Sequence, residues 1–177
     1  MCAIDIEPVI ETRRLRLRKP RRADAPRIAE LANDFDVARM TCNLPHPYGR
    51  EDALAYLAHV DSREPDSHAA FVIEHPAEGP LGVLGFDARG PGRTELGYWL
   101  GKPYWGRGFA TEAARAALVW VNRAWNRRAV TAQHFADNPA SGEVLTKLGF
   151  LYTGDRGLAP CRARGESVPA RMMVWLA

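Results

Sequence analysis

The sequence predicts a mixed α/β fold: a mostly antiparallel sheet of about six to seven strands with helices on both faces. Three observations carry this. Short apolar runs at 69–74, 81–88 and 93–100 are separated by turn residues, the pattern of antiparallel hairpins. From Phe109 the apolar period becomes helical, with Phe109, Ala113, Ala116, Ala117, Trp120 and Ala124 on one face. A strand–helix–strand–helix order then fills 93–148, and strands joined through a helix lie parallel.

The elements follow in order. Residues 12–19 read as the first strand, because Leu15 and Leu17 alternate with basic residues. Ile28, Ala29, Leu31 and Ala32 make 24–33 a short amphipathic helix. The prolines and glycine of 43–49 make a rigid loop. Ala53, Leu54, Leu57 and Val60 align on a helix over 51–60. Strands 69–74 and 81–88 flank a turn at 75–80, and Gly90, Pro91 and Gly92 turn the chain into strand 93–100. A long helix is expected over 108–124, a strand over 129–135, a helix over 139–148, a strand starting at 150–153 and a closing strand at 172–176. No linker or repeat divides the 177 residues, so 1–177 is expected to be a single domain.

Composition narrows the function classes. A net charge of +3 gives no general case for nucleic-acid binding. The basic run 13–22 reads as a solvated strand face, since no aromatics interleave with its charges. No long apolar run suggests a membrane span, and 1–7 has no signal-peptide pattern. Cys2, Cys42 and Cys161 are scattered, which fits a reduced cytoplasmic setting. Neither they nor the five histidines have metal-ligand spacing, so no metal is expected.

The most informative segment is 97–114. An apolar strand end, Tyr98, Trp99 and Leu100, runs into a turn containing Gly101, Pro103, Gly106 and Gly108, and then into a helix. Such a turn presents unpaired N–H groups beside the positive end of a helix dipole, an arrangement suited to phosphate or pyrophosphate. It is not a P-loop, because no Gly-Lys-Ser/Thr follows, and the glycines lack dinucleotide spacing. An ordinary strand-to-helix connection is the plain alternative.

Trp105-Gly106-Arg107-Gly108-Phe109-Ala110 resembles the phosphate-binding loop of the GCN5-related N-acetyltransferases (GNAT), with Trp105 at the usual Gln/Arg position. Asp137-Asn138-Pro139-Ala140-Ser141, followed by Leu148-Gly149-Phe150, is similar to a second segment of the RimJ/RimL-type branch. The resemblance implies a sheet splayed between strands four and five, with acetyl-CoA as co-substrate entering the gap. It implies that the backbone of Gly106, Arg107, Gly108, Phe109, Ala110 and Thr111 binds the pyrophosphate, Arg107 and Thr111 adding side-chain contacts. The edge of Tyr98, Trp99 and Leu100 would pair with the pantetheine arm, as an added strand does. Trp105 is either a core anchor or part of this site.

Asn138 precedes a proline and can cap the next helix. The resemblance adds a contact with the coenzyme's amides. It also places the Ser141 hydroxyl near the coenzyme sulfur as an acid. The superfamily's usual tyrosine acid is missing, since position 145 is Leu145. A base is expected for the attacking amine. Glu95 matches the branch, and strand alternation aims it into the gap if Leu96 and Tyr98 point away. His134 is the other candidate, with a packed histidine as its plain alternative.

The expected function is acetyl transfer from acetyl-CoA to a primary amine by direct attack. The acceptor is a small-molecule amine, an aminoglycoside included, or a protein N-terminus, read by loops at 46–51, 63–69 and 158–167. The other class left open is a catalytically silent acyl-CoA-binding or sensor module. The helix face around Trp120 and Trp125 could bury a partner, so a homodimer is among the expectations.

Overall fold

The computed structural model describes residues 8–90 and 93–177. Cys2, the rest of 1–7, and the turn residues Pro91 and Gly92 lie outside the described residues. The strands are β1 Ile10–Glu11, β2 Arg16–Arg18, β3 His68–His75, β4 Gly79–Ala88, β5 Thr94–Leu100, β6 Ala129–Phe135, β7 Leu151–Cys161 and β8 Glu166–Leu176. The α-helices are α1 Ala25–Ala32, α2 Phe35–Ala38, α3 Arg50–Asp61, α4 Phe109–Ala124 and α5 Pro139–Lys147. The strands form one eight-stranded sheet in the order β1-β2-β3-β4-β5-β6-β8-β7. Every neighbouring pair is antiparallel except β5–β6.

Alternation builds a core on each face. On β3 and β4, Phe71, Ile73, Leu84 and Phe86 pack with Phe109, Ala113, Ala117 and Val121 of α4. Val72 and Val83 point the other way, onto Ala25 and Ile28 of α1 and Ala53 and Leu57 of α3. The face of α4 includes Leu118 and Val121 and leaves Ala124 exposed, a modest rotation from the expected stripe. Trp120 stands edge-on to Phe71, and Trp125 to Phe86. The two indoles therefore pack, partly buried, against this core.

Several elements differ from the sequence reading. The expected first strand is two short strands, because Thr12 folds the chain back: its N–H donates to the Leu15 carbonyl at 2.8 Å and its hydroxyl accepts from the Leu15 N–H at 2.9 Å. Arg18, read as part of a solvated face, is only 7 % exposed. Its guanidinium grips both oxygens of Asp24 at 2.8 Å and reaches Glu74 at 2.8 Å. The expected loop at 158–167 is largely a hairpin, with Leu158 opposite Pro169 and Cys161 opposite Glu166. Polar composition hid it: β7 is the sheet edge, exposed along most of its length, and so lacks a strong apolar alternation.

Candidate active site

β5 and β6 meet at one registered pair, Glu95 with Thr131. Beyond it the strands diverge, giving the splay expected between the fourth and fifth strands of the sequence reading. Each is firmly held on its other side: β5 pairs with β4 from Thr94 to Leu100, and β6 pairs with β8 along its whole length. Only the inner edges lack a ladder. A cleft of about 1500 Å³ opens there, lined by β5, the 104–111 turn, the end of β6 and the start of α5.

The turn entering α4 has the backbone that its glycines allow. Gly106 and Gly108 have φ of +72° and +77°, left-handed conformations that cost a side-chain-bearing residue about 1–2 kcal/mol. Gly108 occupies the N-cap of α4, so the free N–H groups of the first turn are offered to the cleft. Gly106, Gly108, Phe109, Ala110 and Thr111 line it, while the Phe109 ring is buried beneath. Two guanidiniums cover that ring, Arg14 at 4.5 Å and Arg107 at 4.7 Å. Arg107 is paired with Glu78, 2.9 Å away. Arg14 is anchored to Glu112 at 2.7 Å and donates to the Arg107 carbonyl at 3.1 Å. Trp105 is 44 % exposed, and its indole N–H donates to the Leu100 carbonyl at 2.8 Å, tying the turn to the end of β5.

Asn138 accepts the Ser141 N–H at 3.2 Å, the N-cap of α5 read from Asn-Pro, which leaves its amide nitrogen outside the cap. Ser141 Oγ lies 2.9 Å from the Tyr98 hydroxyl. Burial pushes the Tyr98 phenol up to about 12, with the Ser141 hydrogen bond pulling the other way.

Glu95 and His134 stand on opposite faces. Glu95 is held by Arg89 at 2.7 Å and by Gln133 at 3.3 Å, on the face carrying Cys42. His134, one residue on from Gln133, points under α5 and is 6 % exposed. Its Nδ1 donates to the Phe135 carbonyl at 2.8 Å, and the Tyr152 hydroxyl donates to Nε2 at 3.0 Å. Both ring nitrogens are thus engaged in packing. Two contacts were missed in the sequence: Tyr98–Ser141, between residues 43 apart, and the 36–45 segment, which lines much of the cleft. The Arg89–Glu95 pair did leave a signal, being opposite charges at the two ends of one hairpin turn. Of the expected acceptor loops, Tyr48, His68, Pro160 and Arg162 reach the cleft.

A family profile described as an acetyltransferase (GNAT) domain matches residues 14–151. The chain belongs to the GNAT acetyltransferase family. It is therefore an acetyl-CoA-dependent N-acetyltransferase. Among curated relatives, an uncharacterized N-acetyltransferase p20 of Bacillus licheniformis is 27 % identical over 146 residues, 81 % of this chain and 82 % of that protein. The solved RimL, a ribosomal L7/L12 alpha-N-protein acetyltransferase in complex with coenzyme A, superposes with a TM-score of 0.81 at 18 % identity, covering 96 % of this chain and 98 % of that one. Spermidine N-acetyltransferase from Vibrio cholerae, in complex with CoA and spermine, superposes at 0.77 and 18 % identity, covering 92 % and 95 %. Among the described residues no helix is long and apolar enough to cross a membrane, and no three His, Cys, Asp or Glu side chains cluster to hold a metal ion.

Proposed function

We propose that residues 1–177 work as one cytoplasmic acetyltransferase domain, with the coenzyme in the β5–β6 splay and a primary amine entering from the face that carries Glu95. The observation behind this is the alignment of the splay with the α4 N-terminus: an unpaired strand edge leads directly to free N–H groups. The pyrophosphate lies on the turn of Gly106, Arg107, Gly108, Phe109, Ala110 and Thr111. The pantetheine amides take the place of the missing strand along Tyr98, Trp99 and Leu100, and the amide nitrogen of Asn138 meets the same arm. Trp105 holds the turn against the strand end through its bond to Leu100.

In this reading the amine attacks the thioester carbonyl, and a β5 N–H steadies the oxygen as charge develops. Glu95 takes the amine proton directly or through water, fixed in direction by Arg89 and Gln133. Ser141 gives a proton to the leaving sulfur. His134 is left a structural role, holding Tyr152 under α5. The acceptor is a protein N-terminus or a small amine; the kinship with RimL and with spermidine acetyltransferase supports both. Calorimetry with acetyl-CoA, followed by an acceptor screen scored by thiol release, tests the reading. Binding of ATP or NAD as tightly as acetyl-CoA would refute it.

A further inference from the structure

Beyond the Gln133–Glu95 contact, a side-chain contact between Tyr98 and Ser141 links the two halves of the site across the splay. Tyr98 leaves β5 between Leu96 and Leu100, both buried in the α4 core, so its ring direction is fixed. Its hydroxyl lies 2.9 Å from Ser141 Oγ, where either atom can donate, and 3.3 Å from the Ser141 carbonyl, the alternative acceptor for its one proton. The Ser141 N–H is held from the opposite side by Asn138. The serine is thus constrained at both its backbone and its side chain, and its hydroxyl has a second hydroxyl behind it.

We propose that Tyr98 is a positioning residue for Ser141: it orients the serine hydroxyl toward the coenzyme sulfur and resupplies the proton that serine gives up. The proposal rests on the placement of Ser141 beside the sulfur given above. In the step, the carbon–sulfur bond of the tetrahedral adduct breaks and its electron pair goes to sulfur. The Ser141 proton passes to sulfur to give the free thiol. The Tyr98 proton passes to Ser141 Oγ, and the phenolate regains a proton from solvent before the next turnover. The relay has a physical reason. Serine alone would be left as an alkoxide, a much stronger base than phenolate. Burial favours the neutral form of Tyr98, so a phenolate left by the transfer is driven to take a proton back. Leu145, fully buried in the same helix, offers no proton. Tyr98 supplies one from the facing strand.

Coenzyme A itself is the probe. Its thiol is titrated in the binary complex by thiolate absorbance, for the wild type, Ser141→Ala, Tyr98→Phe and the double variant. A hydroxyl that donates to the thiolate lowers the bound thiol's pKa. Ser141→Ala is expected to raise it by about one pH unit, the scale of one hydrogen bond to a charged group. Tyr98→Phe is expected to raise it by about half of that, through loss of cooperative polarisation, with CoA affinity within about threefold of wild type. In the Ser141→Ala background, Tyr98→Phe should add nothing. A wild-type thiol titration in Tyr98→Phe, or the same shift in both backgrounds, overturns the relay while leaving the acetyltransferase reading intact. Failure of the wild type to bind CoA overturns both. If Tyr98→Phe does not fold, Ser141→Ala decides alone: a bound thiol that still titrates as in wild type overturns the proposal.

Discussion

Replacing Gly142 by alanine should lower both stability and turnover, although the same change inside an ordinary helix raises stability. Gly142 lies within α5, one residue after Ser141. Alanine is favoured over glycine there by about 1 kcal/mol from propensity alone. The structure reverses that sign. A Cβ at 142 would sit 2.9 Å from both His134 Nε2 and the Tyr152 hydroxyl, and 3.0 Å from His134 Cε1. Ordinary contact begins at 3.4 Å, so helix or ring must move by about 0.5 Å. His134 is buried and cannot swing out. Tyr152 is half exposed and can, which breaks its hydrogen bond and strands Nε2 at a cost of about 1–3 kcal/mol. Overpacking adds about 1–3 kcal/mol. Net of propensity, the loss should be about 2 kcal/mol, a fall of roughly 4–8 °C in Tm for a chain this size. Moving α5 also moves Ser141, and kcat should fall by about tenfold, since misplacements near 1 Å cost on the order of 10²-fold. Thermal melts with Gly142→Ala and Gly142→Ala/Tyr152→Phe, paired with thiol-release kinetics, check this. The second variant removes one obstructing atom and should recover part of the loss. An unchanged or raised Tm in Gly142→Ala would refute the packing argument.

Three further outcomes are expected. Glu95→Gln keeps the contact with Gln133 but removes the basicity, so the ascending limb of the pH–rate profile should flatten and kcat/KM fall by about 10²-fold; His134→Gln should leave the limb in place, and the reverse pattern would move the base to His134. Gly108→Ala must adopt φ near +77° and brings a Cβ to 3.5 Å from Arg14, so it should cost about 1–2 kcal/mol in a chemical melt and weaken acetyl-CoA binding measured by calorimetry; a purely structural glycine would leave affinity unchanged. Burial alone would raise the Asp24 carboxyl, but the Arg18 guanidinium and the Arg21 N–H hold it below its ordinary value, so its contribution is present above the unfolded pKa near 4 and is lost as pH falls through the lower folded value; Asp24→Asn should therefore flatten the acid limb of a stability–pH curve measured by denaturant melts.

The legible parts of this chain are those written in local pattern. The α4 helix, the β3–β4 hairpin and the Asn138 cap each depend on residues within a few positions and all appear, the buried face of α4 being rotated modestly from the expected stripe. What escaped the sequence depends on distant partners. Arg18 looks like one of several surface arginines until β2 pairs with β3 and brings Glu74 to it. β7 hides as a loop because an edge strand has no apolar face to advertise. Glu95 and His134 both belong to strands that border the gap, yet alternation sends them to opposite faces, and only the pairing of Gln133 with Glu95 reveals which face is which. The Tyr98–Ser141 contact needs the β5–β6 register, which one parallel pair alone defines.

That solitary Glu95–Thr131 pair has a mechanical meaning. A strand ladder resists shear because many rungs share the load; here β5 and β6 share one rung, beside which Thr131 and Gln133 reach Thr94 and Glu95, and the Tyr98–Ser141 clasp lies further along. Widening the wedge beyond that rung would break the clasp but no strand ladder. A longer acyl chain would then be admitted at the expense of the contact that steadies Ser141. In such a molecule, selectivity for acyl length and turnover would be set by the same hinge.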